Sequence, residues 1–177
     1  MSLATSLRVY AIAAAVLFAA VARSAAQSPA RLGLLAGATV PVSDYATNKN
    51  VGYHIGLLLD VRVPLSPVGF RVDGAFHEIG YSGNSTKQDI WSTNANVLLK
   101  LPTGTMIVPY VIGGVGIYNS HRTLILGAHS TTDPGMNVGG GLRFEAGDLT
   151  TFVEARYHRV TGDAGIRMVP ITLGVLF

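Results

Sequence analysis

Two sets of residues in this chain carry chemistry beyond packing. The first is a run of Ser120, His121, Arg122, His129, Ser130 and Asp133. A serine hydroxyl becomes a nucleophile when an imidazole within hydrogen-bond reach takes its proton and a third group orients that ring. All three residue types are present, but in a stretch rich in Ser, Thr, His and Gly, which is the composition of an ordinary solvated loop. We therefore expect no enzyme, and keep lipid-modifying catalysis as a lesser alternative that Ser120→Ala or Ser130→Ala would test.

The second set is dispersed along the chain: His54, Asp60, Arg62, Arg71, Asp73, His77, Asn94, Asn96, Lys100, Arg143, Glu145, Glu154, Arg156 and His158. Its three histidines follow no metal-ligand spacing. The chain has no cysteine, so neither a thiolate site nor a disulfide is available. The glycine-rich segments 113–116 and 139–141 open no helix and have no adjacent Lys-Ser/Thr, so they are not phosphate loops. No metal and no cofactor are expected.

What unites the dispersed set is parity. From 51 to 63, Val51, Tyr53, Ile55, Leu57, Leu59, Val61 and Val63 alternate with Gly52, His54, Gly56, Leu58, Asp60 and Arg62. Period-2 alternation of this length predicts a long strand with one apolar and one polar face. The same reading predicts strands over 31–40, 68–79, 89–101, 107–119, 136–146, 151–160 and 168–177, eight in all. In strand 3, Glu78 breaks the pattern, which predicts a bulge or exit from the apolar zone. In strand 5, Val108, Tyr110, Ile112 and Tyr118 are assigned to the apolar face. Phe152 does not fit the parity assigned to strand 7, which suggests a later start or a bulge. Connections alternate between short (64–67, 102–105, 147–149) and long (41–50, 80–88, 120–135, 161–167), as antiparallel neighbours with short turns on one side require.

Aromatics on the apolar face fall at two levels. Tyr53, Phe76, Trp91, Tyr118 and Tyr157 lie toward the long connections, and Phe70, Tyr110, Phe144 and Phe177 toward the short ones. Two such girdles suit a band of hydrocarbon, because amphipathic rings collect at the headgroup level. A soluble sandwich would not need to segregate them. We therefore expect the apolar face in lipid and the polar face enclosed. Eight strands leave an interior that side chains just fill. Five cations and four carboxylates of the dispersed set would pair there, since an unpaired buried charge is costly. A polar plug is expected, with a narrow channel for small solutes or ions as the alternative.

The remaining features concern export. Arg8 precedes an apolar run from Val9 to Val21, and Ser24-Ala25-Ala26 fits a small-residue cleavage site. This predicts a signal peptide over 1–26, too short in its apolar part to span a bilayer comfortably, and a single domain over 27–177. Without Arg8 and Arg23 the charge is nearly balanced, at eleven basic against ten acidic residues. No basic block remains to suggest nucleic acid.

The segments 109–116 (PYVIGGVG), 139–144 (GGGLRF) and 152–157 (FVEARY), with the alternating tail ending at Phe177, resemble the small eight-stranded outer-membrane β-barrels, OmpA-like and opacity-protein-like, of Gram-negative bacteria. The resemblance spans residues 30 to 177. It implies an all-β, antiparallel up-and-down barrel in the outer membrane, with both termini periplasmic and the long loops external. It also implies that Phe177 is part of a signal read by the barrel-insertion machinery. Family members include adhesins, structural anchors, small channels and a few lipid-modifying enzymes, so the expected role is structural or surface-interacting. Outer-membrane lipids and lipopolysaccharide are the expected surroundings. Arg122, Arg159 and Arg167 near the external rim could meet lipopolysaccharide phosphates.

Overall fold

A computed structural model describes residues 30–83, 87–124, 127–146, 149–162 and 165–177, with the backbone alone for 122–124 and 127–129. The expected signal peptide therefore lies outside the described residues. Eight strands follow one another: β1 Ala30–Pro41, β2 Gly52–Arg62, β3 Val68–Gly80, β4 Lys87–Lys100, β5 Ile107–Leu124, β6 Gly127–Ala146, β7 Leu149–Val160 and β8 Arg167–Leu176. Each pairs antiparallel with its neighbour, and β1 pairs with β8 to close the barrel. Closure leaves no unpaired sheet edge, which removes the main liability of an all-β chain.

Period 2 decides which residues face out. Leu57, Val97 and Leu173 are 59%, 50% and 64% exposed on the outer wall, whereas Arg71 and Glu154 are each 1% exposed inside. An apolar exterior around an ionic interior suits hydrocarbon outside. Glu78 causes no bulge. The β3–β4 register runs unbroken through Glu78↔Asp89, and Glu78 pairs with Lys87 at 2.7 Å beyond the apolar band.

Two expectations are corrected. Tyr110 and Tyr118 point inward and are buried, while Val111, Val115 and Ile117 form the exposed outer face of β5. The face of that strand was thus assigned the wrong way round. Their hydroxyls need polar partners, and the lumen supplies them where lipid could not. Phe152 is also inside, in parity with Glu154 and Arg156, and β7 is regular from Leu149. These rings lie over cross-strand glycines. Phe152 covers Gly174 and Tyr110 covers Gly141, and a Cβ at either glycine would collide with the ring. Such pairs bring a large side chain and a bare backbone into one slot of the wall.

The region 120–135, expected as a loop, is largely a β-hairpin. β5 and β6 continue in register from Asn119↔Thr132 to Leu124↔Gly127. The first long connection carries a short 3-10 turn, Ser43–Ala46, whose Tyr45 is buried over the mouth of the barrel.

Candidate functional site

The lumen is built in layers, each contributed by inward positions of several strands. Nearest the short turns, Arg31 of β1 donates to Thr150 of β7 at 2.9 Å. Arg62 of β2 meets Glu145 of β6 at 3.2 Å, and Lys100 projects from the end of β4. Above them sits an ionic core. Arg71 donates to Asp60 at 3.2 and 3.3 Å and to Glu154 at 2.8 Å. Arg143 reaches both oxygens of Asp60. Tyr110 donates its hydroxyl proton to Glu154 at 2.7 Å. The Arg71 guanidinium lies 4.7 Å from the Phe152 ring centre, so its faces are covered while its edges are bonded.

Arg156 links this core to the next layer. It donates to Asp73 at 2.9 Å, and its Nε stands 2.8 Å from Glu154 Oε1 in an ion pair too bent to be a hydrogen bond. Asn94 and Asn96 each donate to Asp73 at 2.9 Å. Desolvating so many charges is expensive, and only dense pairing of this kind offsets it.

A histidine layer follows. Thr39 Oγ1 lies between His54 Nδ1 at 3.1 Å and His77 Nδ1 at 3.0 Å. His54 Nε2 is 3.0 Å from Thr172 Oγ1, and His77 Nε2 is 3.1 Å from Ser92 Oγ. Because Thr39 has a single hydroxyl proton, at least one of the two rings donates to it. Tyr118 donates to Asn94 at 2.7 Å, which leaves His158 Nδ1, also at 2.7 Å, to act as a donor to the Tyr118 oxygen. A cavity of about 10 Å³ lies among these groups, room for about one water molecule.

The layer nearest the long connections is apolar: Tyr45, Ile79, Ile90, Tyr118, Val160, Ile166 and Met168 pack together, all buried. Over it, Tyr45 donates to Gln88 at 2.9 Å, and Gln88 donates to Ser120 at 2.7 Å. Lys49 Nζ sits 3.8 Å from the Tyr45 ring centre. Sequence reasoning missed this plug. Its one signal was the apolar residues at inward parity near strand ends, Ile79, Ile90, Val160 and Met168.

All fourteen residues of the dispersed set project into the lumen, with Arg62, Lys100 and Glu145 only half-buried at its short-turn end. Of the nine girdle residues, Tyr53, Trp91, Tyr157, Phe70 and Phe144 are exposed on the outer wall. Phe76 packs there at 5.0 Å from Trp91, and Phe177 is half-buried at the end of β8. Tyr110 and Tyr118 belong to the lumen. The candidate nucleophiles separate: Ser120 is buried against Gln88, whereas Ser130 and His121 face out, with Ser130 Oγ 3.2 Å from His121 Nε2. Asp89 stands opposite His121 in the register, but no bond joins them. The side chains of Arg122 and His129 lie outside the described residues. Among the described residues no group of three potential metal ligands occurs.

The model of the outer membrane protein β-barrel domain matches residues 11–175. The chain belongs to that family. Its wall accordingly sits among the lipids and lipopolysaccharide of a Gram-negative outer membrane. No curated protein matches the chain. Among solved structures, the family barrel is similar to Neisserial surface protein A, at 18% identity over 84% of this chain and 96% of that one, with a TM-score of 0.71. It is similar to Ail, the attachment invasion locus protein of Yersinia pestis, at 12% identity, 83% and 95% coverage, TM-score 0.59. The outer membrane enzyme PagL aligns at 16% identity, 83% and 98% coverage, TM-score 0.55. Identities this low speak for the shared fold.

Proposed function

We propose that this barrel is a non-enzymatic outer-membrane protein with a structural or surface-interaction role, its specificity carried by the external loops. The observation behind this reading is the filled lumen. An ionic core, a histidine layer and an apolar plug succeed one another, and the void among the histidines is only about 10 Å³. Hydrated ions need a wider continuous path. The polar residues of the lumen thus serve cohesion. Among the described residues no carboxylate is bonded to the ring of the exposed Ser130–His121 pair, so the pair lacks the third member that a nucleophilic device needs there.

Ail has also been solved with the heparin analogue sucrose octasulfate. For the present chain, Arg159 and Arg167 stand directly opposite each other on the outer wall of the external rim. Arg167 Nη1 also stands 3.9 Å from the exposed Asp44, a weak pair, so a lipopolysaccharide phosphate between the two guanidiniums would still relieve their repulsion. Neutralising both should lower lipopolysaccharide retention, and unchanged retention would count against that contact. Export by a signal peptide over 1–26, with insertion signalled by Phe177, completes the reading.

Planar-bilayer recording on heat-modifiable, folded protein tests the proposal. Silence, or rare brief events only, is expected. Steady openings would favour the narrow channel instead.

A further inference from the structure

The periplasmic mouth differs in charge from the rest of the lumen. Among the described inward residues, Arg31, Arg62, Arg71, Lys100 and Arg143 face Asp60, Glu145 and Glu154, five cations against three carboxylates. Above them Arg156 and Asp73 balance. The excess therefore sits at the rim, where Arg31, Arg62 and Lys100 project inward from the ends of three different strands, with the terminal carboxylate of Phe177 at the same end of the barrel. Arg62 spends one terminal nitrogen on Glu145, while its Nε is shielded from solvent without an acceptor. Lys100 has no acceptor within hydrogen-bond distance of its ammonium among the described residues, and the cations Arg143 and Arg62 as well as the carboxylates Asp60 and Glu145 lie within electrostatic reach of it. Three cations in a half-buried mouth repel one another, and unsatisfied donors there are costly.

We infer that the periplasmic mouth is a binding site for an oxyanion of the phosphate class, held by Lys100 and Arg62 with Arg31 beside them. A tetrahedral phosphate offers several acceptor oxygens, enough for an ammonium and a guanidinium at once. Glu145 is the built-in competitor, because it already occupies part of Arg62. Phosphate of this class is carried by phospholipid headgroups and is also free in solution, and the two arms of the test distinguish these sources. No bond is made or broken, and the consequence is a charge-neutralised, tightened rim.

The test uses the protein extracted from outer membranes and placed in nanodiscs. In phosphatidylcholine discs, inorganic phosphate is titrated and followed by phosphorus-31 relaxation. In discs containing phosphatidylglycerol, without added phosphate, retained lipid is read by native mass spectrometry. Saturable binding is expected in at least one arm, and the arm identifies the source. Lys100→Gln should weaken it about ten-fold, as loss of one charge-assisted contact implies. Glu145→Gln should tighten it, an effect that loss of folding cannot imitate. Heat-modifiable gel migration shows that each variant is folded. The inference is overturned if neither anion binds the unmodified protein, if Lys100→Gln binds as well as it does, or if Glu145→Gln binds more weakly.

Discussion

The lumen and the β5–β6 hairpin use nearly the same side chains. Both contain Ser, His, Asn and Asp in cross-strand positions, and both form hydrogen bonds of good length, such as Tyr118 to Asn94 at 2.7 Å and Asn119 to Thr132 at 2.6 Å. They differ in what replaces each bond when it breaks. In the lumen nothing does, because the wall and the apolar plug exclude water. On the hairpin, Asn119 and Thr132 lie in an exposed contact, and His121 and Ser130 are exposed as well. Water takes over at little cost there. The same chemistry is therefore cohesive in one place and nearly neutral in the other.

Substitutions ordered by size can sharpen or break this contrast. Asp60→Asn should have the largest effect, because Arg71 and Arg143 both lean on that carboxylate. A loss of about 3–5 kcal/mol is expected in urea unfolding from lipid vesicles. Gly174→Val would drive a side chain into the Phe152 ring, and about 1–3 kcal/mol is expected from the overpacking. Tyr118→Phe removes one hydroxyl that serves Asn94 and His158, and should cost about 1–2 kcal/mol. Ser130→Ala should stay within about 0.5 kcal/mol in the same assay. If Ser130→Ala destabilised the barrel as much as Tyr118→Phe, the hairpin would not be the solvated region described. Likewise, lipid A acylation should be the same with Ser130→Ala as without it, and a change would restore the enzymatic alternative.

Much of the fold was legible because a barrel wall between lipid and a polar interior imposes strict alternation. β2, β3 and β7 carry that alternation in residues as different as Leu57 and Asp60, so parity put Arg71, Asp73, Glu154 and Arg156 on one polar face, and the aromatic girdles turned that face inward. β5 misled for a physical reason. Tyrosine is apolar along most of its length and hydrogen-bonding only at its tip, so Tyr110 and Tyr118 suit either an interface or a lumen with acceptors. The deciding evidence lay on another strand: Gly141 leaves a slot opposite Tyr110, as Gly174 does for Phe152. A pattern read strand by strand cannot see such partners.

The hairpin was hidden for the opposite reason. From Asn119 to Arg122 every residue is polar, so the period-2 signal ends although the ladder continues. The apolar plug was overlooked because Tyr45 comes from a loop and Ile166 from the approach to β8, neither of which shows a period. The ionic partners were chosen by three-dimensional closure. Arg71 of β3 finds Glu154 of β7 across the lumen, a pairing no local spacing announces.

The sealed lumen is best tested by thiol accessibility, since the native chain has no cysteine. Ser92→Cys places a thiol of nearly the same size beside His77 in the histidine layer, and Ser82→Cys places one on the exposed β3–β4 connection. In the folded protein a charged, water-soluble maleimide should modify position 82 promptly and leave position 92 untouched until the barrel is unfolded. Modification of both at similar rates would mean that water and solutes pass freely through the interior, and the closed-lumen account would be wrong.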